Sequence, residues 1–178
     1  ASLHFAPTKI SLENLISEGF KKGSYVTGNT IIDSLKIVSE KVKPFHLDGV
    51  DLCKKDLILA TLHRRENWGE RLIDIAMALK KIVDDNLSTV LLIPLHKNPL
   101  VRETLKKVLG GNQRIFLVEP LAYDELVSVL KYCKLVITDS GGIQEEAPTF
   151  GKPVLVVRNN TERVEAINAG CAKLIGTD

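Results

Sequence analysis

Ser140-Gly141-Gly142 is a segment suited to holding an anion. Two residues without a Cβ let a phosphate approach backbone N–H groups closely, and the serine hydroxyl adds a donor. A helix opening there would add free N–H groups and about half a positive charge. The plainer reading of the same residues is a strand–helix turn capped by Ser140. Glu146 lies one helical turn after Gly142, on the same face. It could accept from both hydroxyls of a ribose, or be a solvated helix carboxylate. Glu145 points elsewhere and reads as half of a structural pair. His63 could donate to a phosphate or protonate a leaving oxygen near neutral pH, or be a strand-end histidine satisfied by backbone. Arg64 and Arg65 cannot face the same way in extended chain. One would take an anionic ligand while the other pairs with Glu66 or Glu70. Arg163, in the first turn of a predicted helix, is poorly placed for the helix dipole and calls for an anionic partner. That partner is a ligand phosphate, or else Glu162 or Glu165. His96 reads as an outer or effector contact, or as a structural histidine. Trp68 reads as an anchor for the loop that carries it.

These residues matter because of the elements that would position them. Short β-branched runs alternate with segments of 3.6-residue period. Strands are predicted at Ser24–Val26, Leu57–Leu62, Thr89–Leu95, Arg114–Val118, Leu135–Thr138, Val154–Val157 and Ala172–Ile175. Most are apolar on consecutive residues, as in strands buried on both faces. Helices are predicted at Ser11–Glu18, Thr30–Lys41, Glu70–Asp84, Pro99–Leu109, Asp124–Lys131, Gly142–Thr149 and Glu162–Ala169. Leu72, Ile75, Ala76, Leu79 and Val83 form a single apolar stripe. Asn98 before Pro99 and Thr161 before Glu162 read as N-caps. Gly110-Gly111, Gly151 and Gly170 read as helix ends. The segment 43–55 reads as a loop. The alternation predicts an α/β fold, a Rossmann-like doubly wound parallel sheet forming one domain over 1–178. Such sheets bind ligands at the carboxyl ends of their strands. Four of five predicted ends carry His, Arg or Ser-Gly-Gly, groups that hold phosphates and sugar hydroxyls.

Composition narrows the classes further. The 178 residues are 44% hydrophobic and 26% charged, with a mean hydropathy of +0.06. That is globular composition, not disorder or a low-complexity chain. The net charge of +2 is too balanced to expect nucleic acid or an anionic membrane as partner. No apolar run reaches the ~18–20 residues of a membrane span. No signal peptide is read at Ala1-Ser2-Leu3-His4, and a cytoplasmic location is expected. Cys53, Cys133 and Cys171 are widely spaced and odd in number, so no metal site is expected and the thiols read as idle. Neither G-x-G-x-x-G after a strand nor G-x-x-x-x-G-K-[ST] occurs, which disfavours NAD and ATP, and no cofactor is expected.

Several runs together resemble a known family. They are His63-Arg64-Arg65-Glu66-Asn67, His96-Lys97-Asn98-Pro99 and Thr138-Asp139-Ser140-Gly141-Gly142-Ile143-Gln144-Glu145-Glu146-Ala147-Pro148. His4-Phe5-Ala6-Pro7-Thr8, Val26-Thr27-Gly28-Asn29-Thr30 and Thr161-Glu162-Arg163 extend the pattern over essentially the whole chain. The sequence resembles non-hydrolysing UDP-N-acetylglucosamine 2-epimerases. The resemblance implies the two-domain GT-B (glycosyltransferase B type) architecture, with this chain as its C-terminal, nucleotide-binding half. An N-terminal domain and a last C-terminal helix would then be absent, and the start at Ala1 rather than Met agrees with a fragment.

The resemblance also implies roles. His63 contacts the diphosphate and helps expel UDP. Ser140, Gly141 and Gly142 bind phosphate, Glu146 binds the ribose hydroxyls, and Arg163 belongs to the substrate site. Leu121 and Leu126 match the base-side positions, the second with Leu where the family often has an aromatic. Arg64 and His96 match positions that touch a second, regulatory UDP-GlcNAc in some members. The implied reaction interconverts UDP-GlcNAc and UDP-ManNAc, by loss of UDP to give 2-acetamidoglucal and re-addition on the other face. The product would serve cell-surface polysaccharide synthesis. The general acid/base carboxylates of the family lie in the N-terminal half, so this chain alone is expected to bind uridine nucleotides weakly without turnover. The partner implied is UDP-GlcNAc or UDP, and the full-length protein is expected to be a homodimer. Alternatives are a hydrolysing epimerase, a GT-B glycosyltransferase and a non-catalytic nucleotide-sugar sensor.

Overall fold

A computed structural model describes residues 1–52 and 54–177. The expectation for Cys53 lies outside the described residues. The backbone divides into two compact units, 1–37 and 38–178, where the sequence analysis reads a single domain. The first unit holds β1 (His4–Ala6), α1 (Lys9–Ser17) and β2 (Ser24–Val26), with β1 and β2 paired in parallel as a separate two-stranded sheet. β1 was not predicted; Phe5 and Ala6 between His4 and Pro7 make too short an apolar run to stand out. The Thr8 hydroxyl accepts from the Ser11 amide and starts α1 two residues before the predicted start. From this unit α2 (Thr30–Ser39) leads into the second.

The second unit contains β3 (Asp56–Thr61), α3 (Glu70–Asp85), β4 (Thr89–Pro94), α4 (Pro99–Leu109), β5 (Ile115–Val118) and α5 (Tyr123–Tyr132). It continues with β6 (Leu135–Thr138), α6 (Ile143–Thr149), β7 (Val154–Val156), α7 (Val164–Asn168) and β8 (Ala172–Leu174). All six strands are parallel, in the order β5-β4-β3-β6-β7-β8. This is the doubly wound sheet expected from the sequence. Chain order reverses between β3 and β6, and that is where such a fold opens a crevice.

Two apolar layers explain why the strands read as continuous hydrophobic runs. Along β3, Ile58 and Ala60 face α3 and α4, while Leu57 and Leu59 face α5 and α6. Successive side chains alternate faces, and both faces are covered. The α3 stripe from Leu72 to Val83 is buried at every position, each large side chain worth about 1.5–3 kcal/mol. The 43–55 segment is irregular but not detached. The Lys43 carbonyl accepts from the Ser128 hydroxyl at 2.7 Å, and Phe45, Leu47, Val50 and Leu52 pack on the second layer.

α2 ends two residues before its predicted end, and the last helix starts later than predicted. α7 begins at Val164, not at Glu162, with Arg163 as its N-cap. Thr161 is therefore not the cap: its hydroxyl accepts from the Arg163 amide at 3.1 Å and donates to Gln144 Oε1 at 2.6 Å. Glu162 is drawn out of the helix by Arg158.

Candidate functional site

The polar residues that follow β3, β6 and β7 meet at the carboxyl edge, around Asp139. This aspartate directly follows β6 and is fully buried. Its carboxylate accepts from the amides of His63 (3.0 and 3.1 Å) and Arg64 (2.9 Å), and from Asn67 Nδ2 (3.0 Å). His63 Nδ1 lies 3.1 Å from Asp139 Oδ1, with the histidine side chain 40% exposed. Asn67 also donates to the Val157 carbonyl at 3.2 Å and so ties the loop after β3 to β7. The Thr138 hydroxyl, 2.5 Å from that of Thr61, accepts from the Ser140 amide. The neighbouring strand ends are thus stitched together before any ligand arrives.

Arg158, at the end of β7, adds a second stitch. Its guanidinium is nearly buried and bonds Glu66 Oε1 at 2.9 Å and both oxygens of Glu162 at 3.0 and 3.3 Å. Arg158 holds the Glu162 carboxyl at about 2, well below its ordinary value of 4.5. The expectation that Glu66 pairs with Arg64 or Arg65 is corrected here. Arg158 reaches Glu66 from across the sheet, and Arg65 lies over the Trp68 ring instead, 5.9 Å from its centroid.

That leaves the Arg64 guanidinium directed at the glycine loop. A Cβ on Gly141 would lie 3.6 Å from Arg64 Nη2 and 3.9 Å from Arg163 Nη2. Two cations therefore border the space that the glycine keeps open. Arg163 forms an ion pair with Glu145 from α6, while Glu162, one of the protein partners the sequence offered, takes Arg158. Glu145 is thus the structural carboxylate that the sequence suggests. Glu146 is buried, and no described residue donates a hydrogen bond to its side chain. Burial, with a smaller contribution from Glu145, raises its carboxyl above the ordinary range.

Beside this polar cluster is a cleft of about 390 Å³ between the ends of β3, β4 and β5. His63, His96, Lys97, Leu121 and Leu126 are among its lining residues. The His63 and His96 rings stack with centroids 6.1 Å apart at 25°. The structure thus brings His63, Leu121, Leu126 and His96 together at the cleft, and Ser140, Gly141, Arg64 and Arg163 together at the glycine loop. Gly142 and Glu146 follow on α6. Sequence reasoning did not single out Asp139, Asn67 or Arg158 as site residues. Asp139 stood inside the longest motif, flanked by more conspicuous residues.

Among the described residues no group of His, Cys, Asp and Glu could hold a metal ion, and no helix is long and apolar enough to cross a membrane. Cys133 is buried, which pushes its thiol up to about 11 and leaves it unreactive.

Fold and edge together define a class: a doubly wound parallel domain whose polar strand ends converge beside the switch point between β3 and β6. Comparison with known proteins gives the particular family. The family model described as UDP-N-acetylglucosamine 2-epimerase matches residues 1–178, and the chain belongs to that family. A UDP-N-acetylglucosamine 2-epimerase of Campylobacter jejuni is 44% identical, over 99% of this chain and 49% of its own length. Two solved structures superpose closely. The S. aureus MnaA–UDP co-structure gives a TM-score of 0.89 at 44% identity, over 100% of this chain and 48% of that one. The Neisseria meningitidis UDP-GlcNAc 2-epimerase bound to UDP-GlcNAc gives 0.90 at 38% identity, over 100% and 50%. The chain spans about half the length of the curated relatives it matches, and corresponds to the C-terminal domain of the GT-B architecture.

Proposed function

We propose that this chain is the UDP-binding half of a non-hydrolysing epimerase that interconverts UDP-GlcNAc and UDP-ManNAc. The observation that carries the reading is the convergence of Arg64 and Arg163 on Gly141, beside a histidine braced by a buried carboxylate. In this reading the diphosphate lies over Ser140, Gly141 and Gly142, between the two guanidinium groups. Glu146 accepts the ribose hydroxyls, which gives a buried carboxylate without protein donors the partners it lacks. The uracil enters the apolar cleft against Leu121 and Leu126. His63 sits between the cleft and the glycine loop, where the departing diphosphate oxygen would be.

The reaction is an elimination followed by re-addition. A base takes the C2 proton, the C2–H electron pair becomes the C1–C2 double bond, and the C1–O pair leaves with UDP. His63 donates a proton to that oxygen, and the arginines stabilise its charge. Return of UDP, with protonation of C2 from the opposite face, gives the epimer. We assign the C2 base to the part of the full-length protein that this chain does not span, and take that protein to act as a cytoplasmic homodimer without a cofactor. Arg64 and His96 lie against the same site as His63, so a regulatory second nucleotide sugar touching them would contact the first.

Calorimetric titration of the chain with UDP, with AMP as control, tests this reading. UDP binding that AMP does not match, and that weakens in Glu146→Ala, is the expected result. Equal binding of AMP, or no UDP binding at millimolar concentration by either the chain or the full-length protein, would overturn it. Product analysis on the full-length protein separates UDP-ManNAc from free ManNAc or a glycosylated acceptor.

A further inference from the structure

We propose that Asp139 is the positioning residue for His63: it fixes a proton on Nδ1, so that the imidazole meets the diphosphate of an intact nucleotide sugar through Nε2 only as a charged donor. This rests on the reading above, in which His63 faces the departing UDP.

The argument begins with what surrounds the carboxylate. Asp139 is fully buried and receives three N–H donors, from His63, Arg64 and Asn67, at 2.9–3.1 Å. Every hydrogen-bond partner of this carboxylate among the described residues is a donor, so it works as an acceptor. His63 Nδ1 sits 3.1 Å from Asp139 Oδ1. A nitrogen lone pair at that distance from a carboxylate oxygen would be repelled, so Nδ1 carries hydrogen. A neutral imidazole has one N–H. Nε2 therefore bears the lone pair, and it has no partner among the described residues.

A diphosphate oxygen is also an acceptor. It cannot approach Nε2 until that nitrogen takes up a proton. The resulting imidazolium is favoured by Asp139 on one side and the diphosphate on the other. Against it stand the neighbouring cations: Arg64 and Arg163 at Gly141, Lys97 in the cleft, and His96 stacked on the ring. The charge on His63 is therefore tied to the presence of the anion. When the C1–O bond breaks, the Nε2 proton passes to the UDP oxygen and His63 returns to its neutral form, with hydrogen still on Nδ1. Re-addition returns the proton to Nε2. The Nδ1 proton never leaves, and Asp139 acts only through His63.

The test reads the imidazole directly. Long-range proton–nitrogen spectra of the ¹⁵N-labelled chain are recorded at about pH 8.5, where an ordinary imidazole is neutral, with His63→Asn and His96→Asn assigning the rings. The expected result is His63 with hydrogen on Nδ1, and hydrogen on Nε2 would overturn the proposal. In Asp139→Asn an amide donor can face Nδ1, and the tautomer is expected to flip. A variant that unfolds would show every histidine averaged, and the wild-type spectrum still decides. With saturating UDP-GlcNAc, whose doubly esterified diphosphate has only acceptor oxygens, His63 is expected to become doubly protonated. Binding heats measured in buffers of different ionisation enthalpy should show about one proton taken up, kept in His96→Asn and lost in His63→Asn. UDP-GlcNAc bound with His63 still neutral would overturn the charged-donor half. Failure of UDP-GlcNAc to bind would instead count against the nucleotide reading, and the tautomer of the free chain would judge Asp139 separately.

Discussion

Asp139 and Glu146 are two buried carboxylates seven residues apart in one motif, and the fold treats them in opposite ways. Asp139 is surrounded by donors from the loop after β3 and braces a histidine. Glu146 has no donor among the described residues and carries a carboxyl raised by burial. A buried carboxylate satisfied by its own protein is scaffold. One without protein donors pays desolvation in the free protein and gains partners when a ligand supplies them. The difference separates the residues that build the site from those that take the ligand.

The largest expected effect is on the scaffold side. Asp139→Ala strands three N–H groups, one of them on buried Asn67, and should lower stability by about 3–5 kcal/mol, measured by urea unfolding. Loss under about 1 kcal/mol would mean that the loop after β3 is held by something else. Arg158→Ala should cost about 1–3 kcal/mol at neutral pH, less than Asp139→Ala because Glu66 and Glu162 are left near solvent. Its effect depends on pH. The folded-state Glu162 carboxyl titrates at about 2 against an ordinary 4.5. The pair therefore contributes fully above 4.5 and is lost as pH falls toward 2. Unfolding curves at pH 7 and at about pH 2.5 should show wild type and variant converging in acid.

Glu146 should show the reverse pattern. Glu146→Gln should weaken UDP binding about tenfold, or roughly 1.4 kcal/mol, by calorimetry, while raising the melting temperature of the free chain. Because burial raises its carboxyl, the folded state prefers the protonated form. The cost of Glu146 is absent in acid and grows as pH rises past 4.5, so the gain from Gln should appear only there. A variant that lost both stability and affinity would collapse the distinction from Asp139. The smallest effect is expected at the cleft: Leu126→Phe should tighten UDP about threefold, since an aromatic face adds about 0.5–1 kcal/mol of stacking.

The doubly wound order and most strand ends were legible in the sequence, because buried parallel strands need continuous apolar runs and helices need a stripe, and both are local patterns. The glycine loop, Glu146 and the apolar base-side positions could be named from the motifs and the resemblance they carry. The helix start assigned to Thr161 and Glu162 failed because Arg158 and Gln144 compete for the residues of that turn. The division at residue 37 was not visible either, since no local feature says which sheet a three-residue strand joins.

The amino-acid sequence by itself therefore determined which elements form, which edge carries the chemistry and which family the chain resembles. Only the tertiary structure decided who pairs with whom. Glu66 takes Arg158 at a separation of 92 residues, and His63 takes Asp139 at 76. Those choices release Arg64 toward Gly141, and among the described residues Glu146 meets no donor. The reason is physical. Secondary structure is written in short-range periodicity, whereas the partner of a charge is set by which loops the crossovers bring to the switch point.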